Sequence, residues 1–209
     1  MIMNRFRRGA GGSLRTTILL LFLLLAFRAA AQEGEISVAG IPATVDELIL
    51  LRDSLAVTPE GGAAVFLLAM IAMEEHPREG MEMFTLALDR SLLAQGSVYK
   101  GFAPGVSVMY HINRFNRDGK WSYIPRAYIW GTVPEDGYAY GLPLVYRFSR
   151  NPYSGTEAEG TVKVFVSTYG VSPRPVTMKV NDKGLWKAAE VSSLFVDVVK
   201  PPETVSDDL

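Results

Sequence analysis

Trp121, Tyr123, Arg126, Tyr128 and Trp130 crowd into one short stretch, and Arg174 stands between Pro173 and Pro175. Tryptophan and tyrosine offer flat apolar faces with a polar edge, which suits stacking on a sugar ring or a peptide side chain. Arginine adds a rigid fork of donors that matches a carboxylate. These residue types are also enriched at the energetic centres of protein interfaces. The chemistry on offer is therefore recognition of a protein, peptide or glycan. A second reading places the rings in the core of a sheet with the arginines along its rim, and pairs Arg174 with a buried or rim acid such as Glu190 or Asp197. The second reading is favoured for both the rings and Arg174.

Catalytic chemistry has fewer carriers. There is no cysteine, and the two histidines are far apart: His76 precedes Pro77 at a helix end, and His111 lies in a strand-like pattern. No histidine or thiolate set has metal-ligand spacing, and no nucleophile elbow occurs. Glu74, Glu75, Glu79 and Glu82 cluster, which a solvated helix face explains. Gly61-Gly62 lacks the Lys-Ser/Thr of a phosphate loop. The expectation is a non-enzymatic binding module with no cofactor and no metal. The alternatives are an enzyme using carboxylates on a concave sheet face, or a purely structural envelope component.

The elements that must position these residues divide by period. Thr44-Val-Asp-Glu47 has the form of a capping box, followed by Leu48, Leu51 and Leu55 on one helix face. Thr58-Pro59-Glu60 opens a second helix with a cap, a first-turn proline and an acid at the positive dipole end. Ala63 to Met73 is apolar nearly all round, so that helix is expected to be buried, with Pro77 ending it. Glu79 to Leu93 reads as a third helix, stopped by Gly96. From Ser97 the period becomes two. The expected strands are Val106 to Ile112, Trp121 to Trp130, Leu144 to Ser149, Thr161 to Ser167, Val176 to Val180 and Leu185 to Val191. Asn116 to Trp121 and Asn181 to Trp186 share the pattern Asn-x-x-Gly-x-Trp, read as two hairpin tips. Helices followed by antiparallel strands predict an α+β fold, with the helices on one face of a curved sheet.

The termini bear on location. Arg5, Arg7, Arg8 and Arg15 precede the apolar run Thr17 to Phe27 and then Ala29-Ala30-Ala31, the layout of a secretory signal cut after Ala31. The run is about half of the ~20 residues a spanning helix needs. Residues 1–31 are thus expected to be a signal peptide, 32–43 a linker, 44–202 a single α+β domain and 203–209 a disordered acidic tail. The protein is expected in the periplasm or outside the cell. Removing residues 1–31 takes away five arginines and no acid, moving the formal charge from −1 to −6. An acidic chain gives no basis for general nucleic-acid binding, which depends on neutralising phosphates. Within it, Gln32 to Gly96 holds 3 basic and 11 acidic residues, whereas Ser97 to Arg150 holds 7 and 3. The aromatic middle is the one basic third.

Five blocks in order, Thr58-Pro-Glu-Gly-Gly-Ala-Ala64, Asn151-Pro-Tyr-Ser-Gly155, Gly160 to Val166, Ser172-Pro-Arg-Pro175 and Lys183-Gly-Leu-Trp-Lys-Ala188 with Ser192-Ser-Leu194, carry a resemblance. The chain resembles a family of exported bacterial proteins described only as a domain of unknown function, over roughly Thr44 to Pro202. The resemblance implies one domain and no mechanism. Separately, helices before a sheet that ends in a Gly-x-Trp hairpin resemble the cone-shaped folds of the nuclear-transport-factor-2-like superfamily.

Overall fold

The computed structural model describes residues 32–203. The expected signal peptide and all but the first residue of the expected acidic tail lie outside the described residues. Four α-helices occur within this range: α1 (Val45–Leu55), α2 (Pro59–Glu75), α3 (Pro77–Ala87) and α4 (Val106–Asp118). The strands are β1 (Gln32–Val38), β2 (Leu93–Tyr99), β3 (Phe102–Pro104), β4 (Leu144–Arg150), β5 (Thr161–Val166), β6 (Arg174–Val180) and β7 (Trp186–Glu190). A five-stranded antiparallel sheet has the order β1-β4-β5-β6-β7, and β2 pairs with β3 as a small second sheet. The fold is α+β, with helices in contact with the sheet.

Helix α2 lies at the centre. Every residue from Gly61 to Met73 is buried, which is why its sequence is apolar all round. Burying each large side chain of this set contributes roughly 1.5–3 kcal/mol, so this helix supplies much of the core. Its start is built by the Thr58 block. The Thr58 hydroxyl accepts from the Gly61 amide at 3.1 Å, Pro59 occupies the first turn, and Glu60 pairs with Arg150 of β4. A Cβ on Gly61 would stand 1.7 Å from the Leu55 carbonyl oxygen, and one on Gly62 would meet Trp186 of β7 at 2.6 Å. Both glycines are needed because backbone passes where a side chain would be.

The sheet turns Leu144, Tyr146, Phe148, Val162, Val164, Val166, Val176 and Met178 towards the helices, all of them buried. The pleat then directs Val145, Arg147, Ser149, Thr161 and Lys163 to the opposite face. Asn181 to Gly184 forms the β6–β7 turn, with Gly184 at φ 73° and the Asn181 side chain accepting from the Lys183 and Leu185 amides. Trp186 follows it into the core.

Several expectations are corrected. Residues 32–43 are not a linker throughout, because Gln32–Val38 forms edge strand β1 in register with β4. Val106 to Ile112 is helical. Val108, Ile112 and Phe115 are buried at helical spacing, while Val106 and Tyr110 are 88% and 64% exposed, the reverse of what alternation requires. His111 therefore sits on α4. Trp121 to Trp130 is not a strand but irregular chain with single turns at Lys120–Ser122 and Arg126–Tyr128. Pro125 lies between those turns and has no amide to give a ladder. The third helix ends at Ala87, after which Leu88 is extended and Asp89 caps a short turn. Gly119 is an α4 C-cap at φ 63° rather than a hairpin tip. In the first cap, the Thr44 hydroxyl accepts from Glu47, but the Glu47 carboxylate accepts from the Ala43 amide at 2.7 Å.

Candidate functional site

The six predicted binding residues separate into core, rim and groove. Tyr128 is fully buried, and its hydroxyl donates to the Leu194 carbonyl at 3.0 Å. Burial pushes that hydroxyl well above the ordinary tyrosine range. Trp121 is also buried, its ring 5.1 Å from Phe115 and edge-on, with Nε1 donating to Asn116 at 2.8 Å. Tyr123 is half-buried against the core, and desolvation raises its pKa.

The arginines are held internally. Arg126 grips Glu74 with Nε and Nη2, at 3.0 and 2.5 Å, and its guanidinium lies 5.6 Å from the Tyr140 ring. The Glu74 carboxylate, outweighing desolvation, keeps Arg126 charged. Tyr140 in turn donates to Glu75, and burial with that carboxylate pushes its hydroxyl up to about 12. Two acids of the Glu74–Glu82 cluster thus tie the end of α2 to the irregular middle. Arg174 donates from Nη2 to the Asp197 backbone carbonyl at 2.8 Å. Its expected carboxylate partners are engaged elsewhere, Asp197 with Lys120 and Glu190 with Ser192.

Trp130 is different: it is 48% exposed. Its amide donates to the Val145 carbonyl at 2.7 Å. The Thr132 hydroxyl, donating to the carbonyls of Arg126 and Ile129, fixes the turn around it. Thr168 adds a bond to Ala127 at 2.8 Å. The Arg147 guanidinium covers one face of the indole at 3.9 Å and bonds Glu35 at 2.9 Å. This arrangement restrains the ring while leaving nearly half of it to solvent.

Two grooves meet at this tryptophan. One, of about 450 Å³, runs along β1 and β4 and is lined by Glu33, Glu35, Arg147, Ser149, Ser167 and Pro173 among others. The other, of about 250 Å³, continues past Gly131 and Thr132 to Tyr169, itself 44% exposed. Two half-exposed aromatic rings therefore lie on one open path with carboxylates and hydroxyls beside them. Glu33 and Glu35 escape sequence reasoning because residues 32–38 carry no clear strand alternation. Arg147 was available from the alternation of β4, where it is the outward residue between Tyr146 and Phe148.

An α+β domain with helices on one sheet face and an aromatic groove on the other is what the fold and site define. The chain belongs to the family described as Domain of unknown function (DUF6935), matched over residues 40–202. Strand β1, which brings Glu33 and Glu35 to the groove, precedes that span. No curated protein and no solved structure matches the chain.

Proposed function

We propose that this protein is a non-enzymatic binding module of the bacterial envelope and that its ligand, a glycan, lies across Trp130. The observation that carries the reading is the half-exposed indole, held by Arg147, where two grooves join. An indole face complements the apolar face of a sugar ring. Glu33, Ser149 and Ser167 stand beside it as partners for sugar hydroxyls. A peptide is the second ligand class, supported by β1 as an edge strand whose outer side has no partner strand among the described residues. An enzyme working through sheet carboxylates would need two of them to converge, whereas Glu35 is engaged by Arg147. Export to the periplasm or beyond rests on the charge and apolar pattern of residues 1–31.

The test is a titration of the purified protein with soluble peptidoglycan fragments and neutral oligosaccharides, followed by calorimetry, beside Trp130→Ala. The variant is expected to lose at least about tenfold in affinity, since an aromatic anchor at a binding centre contributes ~2 kcal/mol, and to melt within about 1 kcal/mol of the parent because the ring is a surface group. Glycan binding that survives Trp130→Ala unchanged refutes the site. Capture of peptides with no glycan binding refutes the ligand class.

A further inference from the structure

Lys187 is a lysine in the interior that the reading above leaves unused. It lies on β7 opposite Lys179 of β6. Lys179 is exposed, whereas Lys187 is only 8% exposed. The cause is Leu88–Asp89, which runs alongside β7, with the Asp89 amide donating to the Ala188 carbonyl at 2.8 Å. The Lys187 ammonium donates to the Leu86 carbonyl. An ammonium has three donors, and this is its one hydrogen-bond partner among the described residues.

Lys187 lines a cavity of about 300 Å³ whose walls include Leu86, Leu88, Leu93, Tyr99 and Phe102. That volume is at the lower end of the range for small-molecule sites. Arg90 and Lys100 stand at its rim, the Arg90 guanidinium 3.7 Å above the Phe102 ring. Asp89, the single carboxylate in the lining among the described residues, is 7% exposed, and its Oδ1 accepts from the Ser91 amide and hydroxyl at 3.0 and 2.6 Å. Lys100 also borders Asp46, Glu79 and Glu82 of an adjoining hollow, so the positive charge facing this cavity comes mainly from Lys187 and Arg90, and its walls are largely apolar.

We propose that this cavity binds a small apolar carboxylate, with its head on Lys187 and its hydrocarbon body against Leu88, Leu93 and Phe102. A buried ammonium with unused donors is costly unless paired, and a carboxylate supplies both the charge and the acceptors. The apolar walls favour a hydrocarbon tail over a hydrated inorganic anion. Burial, which dominates over the neighbouring Arg52, Asp53 and Asp89, holds the Lys187 pKa down to about 8, consistent with an ammonium short of counter-charge. This site is separate from the Trp130 grooves and does not rest on their assignment.

The probe is octanoate, titrated into the full protein by calorimetry at pH 7, with octanol and inorganic phosphate as controls. Octanoate is expected to bind at least about tenfold more tightly than either control, since the first lacks the charge and the second the tail. Lys187→Met is expected to lose octanoate by at least about tenfold, and Trp130→Ala is expected to keep it. Leu93→Trp, which adds uncharged bulk to the cavity lining, provides a second variant expected to lose binding. Equal binding of octanol and octanoate, phosphate binding alone, no octanoate binding at millimolar concentration, or octanoate binding unaffected by Lys187→Met overturns the proposal.

Discussion

Replacing Lys187 by methionine turns its burial into a measurable pH dependence. The residue is buried, and desolvation holds its pKa down to about 8 against the ordinary lysine value of 10.5. The folded pKa is lowered, so between about pH 8 and 10.5 the unfolded chain binds the proton and the folded chain does not. Stability must then rise with pH across that window. Below pH 8 the fold carries the full cost of a buried ammonium, on the order of 3 kcal/mol; moving from pH 7 to pH 9.5 recovers about 2 kcal/mol of it. The window closes near pH 10, because burial raises the pKa values of Tyr128, Tyr138, Tyr140 and Tyr146. Unfolded tyrosines ionise there first, which favours unfolding. Urea melts at pH 7, 8.25 and 9.5 read the effect, with all other groups shared between parent and variant. Lys187→Met should remove the rise and should itself be more stable at pH 7 by about 1–2 kcal/mol, after the lost bond to Leu86 is offset. Parallel pH profiles for the two proteins would refute the buried-ammonium reasoning.

Two further outcomes test how the frame is assembled. Gly62→Ala places a Cβ 2.6 Å from the Trp186 carbonyl oxygen and 2.8 Å from its Cβ, so it should lower stability by about 1–3 kcal/mol through overpacking of α2 on β7; a thermal melt within 1 °C of the parent would show that the two elements separate freely. Arg126→Ala and Glu74→Gln remove the two ends of a paired contact with side chains 31% and 14% exposed, and a double-mutant cycle in urea should give a coupling of about 1–2 kcal/mol; a coupling near zero would show the fork to be a surface contact.

What could be read from the sequence was local or strongly periodic. The Thr58-Pro59-Glu60 start depends on its own few residues, and Ala63 to Met73 is apolar on every side, so both were visible before any partner was known. The valines of β5 and the Asn181–Gly184 turn were legible for the same reason. Helix α4 was not, because Val106, Val108, Tyr110 and Ile112 alternate like a strand while Val108, Ile112 and Phe115 also fit a helix. The Gly105 and Gly119 caps settle the matter in the helix's favour. Strand β1 was hidden because its outward residues Glu33 and Glu35 are acidic and Gly34, opposite Phe148, has no side chain to mark the inward face.

The same limit governs the functional residues. Tyr128 and Trp130 are two positions apart and alike in composition, yet one is buried to its hydroxyl and the other is 48% exposed; the turn at Arg126–Tyr128 makes the difference, and residue type carries no record of it. Arg174 was read as seeking an acid, whereas a backbone carbonyl satisfies one of its donors, an acceptor that every residue owns and no sequence pattern marks. Lys187 is the sharpest case. Strand alternation between Trp186 and Ala188 directs its side chain away from the core, as it does for Lys179, and predicts an exposed amine. Its burial comes from a segment nearly a hundred residues earlier in the chain, where Leu88 and Asp89 close the edge of β7. A charge that is outward by local pattern and interior by tertiary contact is costly to keep, and that cost is why the cavity around Lys187 is the place to look for an anionic ligand.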